Sequence, residues 1–121
     1  MTRIIVPVIY LEKPNKYVVY PHFGKAPEFA IIDIYEKSEP KKRFIENEYS
    51  NEEEHSGHGK YVIDKIIKED PDIMVVTNIG EMAYNYLKDA GIKIMKPESK
   101  DLDQIIEEYK SNKLVPFTNP H

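Results

Sequence analysis

The chain has 121 residues, enough for one domain with one core and too few for two. Hydrophobic residues make up 40% and charged residues 31%, ordinary values for a globular protein, and 17 basic against 21 acidic side chains leave a formal charge of −4. That balance disfavours nucleic-acid binding, no apolar run is long enough to cross a membrane, and the lack of cysteine removes disulfides, a thiolate nucleophile, Cys-rich zinc and any cluster held by the chain's own thiolates.

The chain opens on Arg3-Ile-Ile-Val-Pro-Val-Ile-Tyr10, a continuous apolar run of strand length that suits a strand buried on both faces. It has no small-residue cleavage site and so reads as a strand rather than a signal peptide, which makes the cytoplasm the expected compartment. Pro7 is the discordant residue, because proline is normally kept off central strands. Turn residues and charge occupy 11–17, and Val18-Val19-Tyr20 is a candidate short strand. Residues 21–27, PHFGKAP, must form an ordered turn. Residues 28–36 read as a second strand. Residues 41–48 read as a polar third strand, an edge protected by its lysines.

An acidic loop over 49–59 closes with Gly57-His58-Gly59, and there the period changes. Val62, Ile63, Ile66 and Ile67 follow helical spacing, and the helix stops at Asp70-Pro71. Ile73 to Thr77 is a short β-branched strand. Ala83, Leu87 and Ala90 mark a second helix with Gly91 as its terminator. Ile92 to Met95 is another strand, and Asp101-x-x-Gln104 resembles a capping box ahead of Leu102, Ile105, Ile106 and Tyr109. The chain from Leu114 reads as a loosely held tail, so the expected domain spans 1–114 and the tail 115–121.

The element order is therefore β-β-β-α-β-α-β-α. Right-handed crossovers make the helix-linked strands parallel. The expected fold is a three-layer α/β/α domain with a mixed five-stranded sheet in the order 3-2-1-4-5, strand 2 antiparallel. Ligands of open α/β sheets bind outside the carboxyl ends of the strands, where the strand order reverses. In this order that point lies between strands 1 and 4. The loops that leave the same edge carry His22-Phe23-Gly24, Gly57-His58-Gly59, Thr77-Asn78-Ile79-Gly80 and Lys96-Pro97.

Each candidate has a plainer reading beside the functional one. His22 is a metal or cluster ligand, or a turn histidine that hydrogen-bonds backbone and holds its loop. His58, between two glycines at a helix start, faces an anionic cluster, phosphate or carboxylate, or sits in an unspecific loop. His55 and His58 after Glu52-Glu53-Glu54 would make a hard-metal site, although such a run is more often a solvated acidic loop. Gly80 begins a helix directly after a strand, which needs a small residue with or without a ligand. Lys41-Lys42-Arg43 is the one basic cluster, too little for a nucleic-acid surface. No nucleophile elbow or acid–base pair appears, and Asp33 is the sole acid in the middle of the first three strands.

The stretch His22-Phe23-Gly24-Lys25-Ala26-Pro27-Glu28-Phe29 resembles the HFG-x-AP-x-F signature of the dinitrogenase iron–molybdenum cofactor biosynthesis family. Asn78-Ile79-Gly80-Glu81-Met82-Ala83, Leu87 and Ala90-Gly91-Ile92-Lys93-Ile94 look like its second half, and Ile4-Ile5-Val6-Pro7-Val8 like its first strand, internal proline included. The resemblance runs from about residue 3 to about residue 114. It implies a ribonuclease-H-like fold without nuclease activity, in small domains that hold iron–sulfur or iron–molybdenum cofactor precursors. It makes His22 the position matching the family motif. Two positions depart from the family pattern, Gly57-His58-Gly59 and Thr77-Asn78. Both line the expected crevice, so they bear on the ligand rather than on the fold.

The expectation is a non-enzymatic carrier whose cargo, an iron–sulfur or iron–molybdenum cluster, arrives preassembled. His22 and His58 would be its metal ligands, with Phe23, Gly24, Gly57, Gly59, Asn78 and Gly80 around the cofactor and cofactor-assembly proteins as partners. A small-anion or nucleotide sensor and a protein-interaction domain without metal stay open beside it. So do a monomer and a homodimer.

Overall fold

A computed structural model describes residues 1–48 and 58–120. Among them, seven strands form one mixed sheet: β1 (Thr2–Leu11), β2 (Lys16–Val19), β3 (Glu28–Ile34), β4 (Lys41–Glu46), β5 (Ile73–Val75), β6 (Lys93–Lys96) and β7 (Val115–Pro116). The helices are α1 (His58–Lys68), α2 (Glu81–Asp89) and α3 (Leu102–Lys110). The sheet order is β4-β3-β1-β5-β6-β7, with β2 paired to β1. The five strands expected from the sequence take the expected order, with β3 antiparallel to β1 and β4 and with β5 parallel to β1 and β6. The count is corrected from five to seven. β2 folds back on the upper half of β1, and β7 adds an antiparallel edge beyond β6.

Strand alternation sorts the core into two layers. On one face Ile5, Phe29, Ile31 and Met74 meet Val62, Ile63 and Ile66 of α1 and Ala83 and Leu87 of α2. On the other, Ile4, Val6, Val8, Ala30, Ile32 and Val75 meet Leu102, Ile105 and Ile106 of α3. The tail is not loose. Leu114 and Phe117 are buried, Phe117 in the α1/α2 layer, and the Phe117 N–H donates to the Ile94 carbonyl at 2.9 Å. Strand β7 is only two residues long and carries no periodic signal, which is why the sequence reading ended the domain before it.

The helix ends follow their local chemistry. Asp101 caps α3 by accepting from the Asp103 and Gln104 N–H groups. Gly91, at φ 84°, closes α2 with bonds from Gly91 N to Lys88 O and from Ile92 N to Leu87 O, the paired Schellman pattern. Asn112, at φ 59°, ends α3 with the same pair of bonds, to Tyr109 O and Glu108 O.

Pro7 fits for a geometric reason. Its carbonyl accepts from the Tyr20 N–H at 2.8 Å, and the N–H and C=O of one strand residue point to the same side. The missing donor therefore faces the gap between the last β5 pair, Ile5 with Met74, and the last β2 pair, Val8 with Val19. The one bond given up is the reciprocal donation to the Tyr20 carbonyl, at the point where the β1–β2 pairing ends.

Candidate functional site

The gap above β5 is where residues 20–27 cross from β2 to β3. They form a 3-10 turn over Phe23–Lys25, closed by the Lys25 N–H donating to the His22 carbonyl at 3.1 Å. Phe23 turns inward and packs against Phe29 with ring centroids 5.7 Å apart, and Ala26 is fully buried. His22 is left exposed on the outside of the turn. Its imidazole makes no hydrogen bond to a described residue and meets only the edge of Tyr20, at 6.3 Å between centroids.

The turn is held by Asn47, which follows β4. Asn47 is 4% exposed, and its Nδ2 donates to the carbonyls of Gly24 at 3.0 Å and Ala26 at 2.9 Å. Its own N–H donates to the Pro27 carbonyl at 3.0 Å. Asn47 thus does the work that the plainer reading gave to the His22 ring. The sequence offered no sign of this, because the partners lie 21 and 23 residues away.

Across from this turn, β5 leads through Thr77 and Asn78 into α2. Gly80 is the N-cap of α2 with φ −70°, so no side chain caps the first-turn amides. Ile79 is buried and anchors the connection. His22, Phe23, Gly24, Lys25, Asn78, Ile79 and Gly80 line one open cavity of about 330 Å³. The structure therefore brings five of the expected site residues together: His22, Phe23, Gly24, Asn78 and Gly80. No Asp or Glu is among the described lining residues.

The glycine–histidine segment stands differently. Gly57 lies outside the described residues, as do His55 and Glu52-Glu53-Glu54. Helix α1 begins at His58, so His58 and Gly59 lie in its first turn rather than in the preceding loop, and the side chain of His58 is not described. Gly59 is not on the cavity wall. A Cβ there would sit 3.3 Å from the Met82 Cε, which places the start of α1 beside the first turn of α2.

Asp33 and two members of the basic cluster are held in ion pairs away from this cavity. Asp33 lies at the opposite edge of the sheet, where Arg3 Nε and Nη2 grip its carboxylate at 2.7 and 3.0 Å. The hydrogen bonds from Arg3 hold the Asp33 carboxyl below the usual carboxylate range against the opposing effect of burial. In the basic cluster of β4, Lys42 pairs with Asp103 at 2.6 Å, Arg43 with Glu69 at 2.5 Å, and Lys41 lies over the Tyr35 ring, 5.7 Å from its centroid. Among the described residues, no three His, Asp or Glu side chains come together as a metal site, and no helix is long and apolar enough to cross a membrane.

Known proteins share this architecture. The apo form of the orange protein from Desulfovibrio gigas superposes with a TM-score of 0.81 at 22% identity, covering 100% of this chain and 97% of that one. A NifB-like protein from Thermotoga gives 0.72 at 20% identity, with 98% of each chain covered. These likenesses establish the fold. In sequence, an uncharacterized protein of Methanocaldococcus jannaschii is 31% identical over 97 residues, 80% of each chain. The profile of the dinitrogenase iron–molybdenum cofactor family matches residues 5–112. That span takes in the first strand with its proline, the His22 turn and the Gly80 helix start, and the chain belongs to the dinitrogenase iron–molybdenum cofactor family.

Proposed function

We propose that this chain is a non-enzymatic carrier for an iron–sulfur or iron–molybdenum cofactor precursor, which it receives preassembled and passes to cofactor-assembly proteins. One observation supports this reading above others. The His22 turn and the Gly80 helix start meet in a single cavity with no carboxylate among its described lining residues, next to a helix whose first amides have no side-chain cap. Such a surface suits an anionic cargo. A bare metal ion would need several protein ligands, and the described residues bring no three together. A cluster that carries its own sulfide needs few. His22, whose ring has no hydrogen bond to a described residue, is the proposed ligand, and His58 at the head of α1 the second. Phe23, Gly24, Asn78 and Gly80 would surround the cargo, and Gly57 and Gly59 would let the start of α1 approach it. No nucleophile and no acid–base pair is among the described residues that line the cavity, which supports carriage over catalysis.

The test is anaerobic loading. Apo-protein is mixed with a cofactor donor and separated by gel filtration, and the protein peak is analysed for metal and visible absorption. Stoichiometric metal on the wild type that is lost in His22→Ala is the expected result. No retained metal on either protein would overturn the carrier reading. The same acid-free lining also suits a small-anion sensor, which would bind without any metal.

A further inference from the structure

The carboxyl edge of the sheet holds a second cavity, on the far side of the β5–α2 connection. It has a volume of about 750 Å³ and is lined by Thr77, Lys96 and Pro116 through Pro120. Thr77 and Lys96 follow from adjacent parallel strands, held in step by the Val76 N–H donating to the Met95 carbonyl at 2.9 Å. The outer wall is the C-terminal segment. Phe117 anchors it in the core, and the Tyr84 hydroxyl donates to the Phe117 carbonyl at 3.3 Å. That wall lies beyond residues 5–112, the span that the family profile matches.

Its chemistry is one-sided. Among the described lining residues Lys96 is the single charged one, none carries a carboxylate, and Lys96 forms no ion pair with any described residue. The remaining polar groups include the hydroxyls of Thr77 and Thr118 and the amide of Asn119. In a chain of net charge −4, an acid-free hollow with a lone ammonium and neutral donors selects for an anion.

We propose that this cavity is a second binding site that takes a compact tetrahedral oxyanion, with Lys96 as its charge partner and the Thr77, Thr118 and Asn119 side chains as further donors. The proposal does not rest on the carrier reading, because the two cavities share no lining residue. A metal oxyanion and a phosphate group present the same chemistry, so both are tested.

The full chain, labelled with nitrogen-15, is titrated separately with molybdate and with inorganic phosphate at constant ionic strength, and amide shifts are followed. Saturable shifts at Thr77, Lys96, Thr118 and Asn119 are expected with at least one anion, and the tighter of the two identifies the source. Lys96→Gln is expected to weaken binding about tenfold, the loss of one charge-assisted contact. Lys96→Arg retains it, and Lys93→Gln, at the other end of β6, leaves it unchanged. Lys96 is exposed, so these variants keep the fold. Three results would each overturn the proposal: no saturable binding of either anion, equal binding by Lys96→Gln, or shifts centred on Phe23–Lys25 and Asn78–Gly80 instead.

Discussion

Asn47→Ala tests how the site is held. The Asn47 Nδ2 donates to two carbonyls at 2.9 and 3.0 Å in a position 4% exposed. Each such bond contributes about 1 kcal/mol net, and each carbonyl left without its donor costs about 1–3 kcal/mol more if water cannot reach it. Gly24 is only half-buried and recovers part of this through solvent, whereas Ala26 is fully buried and recovers little. The expected loss is about 2–4 kcal/mol, a fall in Tm on the order of 10 °C for a domain of this size. Asn47→Asp should be at least as costly, because it sets a carboxylate against the same two carbonyls. Urea unfolding followed by circular dichroism gives the free energy. Amide exchange at Phe23, Gly24 and Lys25 shows whether the turn loosens before the domain unfolds. An Asn47→Ala midpoint that matches the wild type, with unchanged exchange in the turn, would refute the clamp.

Asp33 supplies a pH prediction. Its folded-state carboxyl titrates below the unfolded value because Arg3 hydrogen-bonds the ionised form. The stability it contributes is therefore present above the ordinary carboxylate pKa, about 4, and is lost as pH falls from there through the lowered folded value. Urea midpoints measured down through this range should fall for the wild type and fall less for Asp33→Asn. Phe117→Ala tests the tail, since its ring is 7% exposed in the α1/α2 layer. It should cost about 3 kcal/mol in urea unfolding, while a cost near zero would restore the loose tail.

Much of the fold was legible because it is written in short-range pattern. The runs at Ile4–Val8 and Ile73–Val76, the helical spacing of Val62, Ile63 and Ile66, and the stop signals at Asp70-Pro71 and Gly91 need only neighbours to be read. Handedness then set the strand order. The same order brought His22 and Gly80 to one edge before any contact was known. What escaped depends on distant partners. Asn47 has no local signature, because its role consists of carbonyls from another loop. Val115-Pro116 pairs with β6 through two residues, too few to show alternation. His22 was weighed as a structural turn residue, yet its ring carries no such bond among the described residues and the burden fell on an unremarked amide.

Pro7 has a consequence for how the domain opens. One flank of β1 is divided between two neighbours, β5 along Ile4 and Ile5 and β2 from Val8 onward, and the residue between them has no amide hydrogen to share. The sheet therefore branches at Pro7 like a zip with two sliders. The β1–β2 hairpin can part from its tip, at Leu11 and Lys16, down to Val8 and Val19 without disturbing a single bond between β1 and β5. Local opening of this kind belongs to the low-energy fluctuations of a native state. The His22 turn does not follow, because the Tyr20 N–H stays on the Pro7 carbonyl and Asn47 holds Gly24 and Ala26. The hairpin tip can part while the cavity and the parallel half of the sheet stay shut.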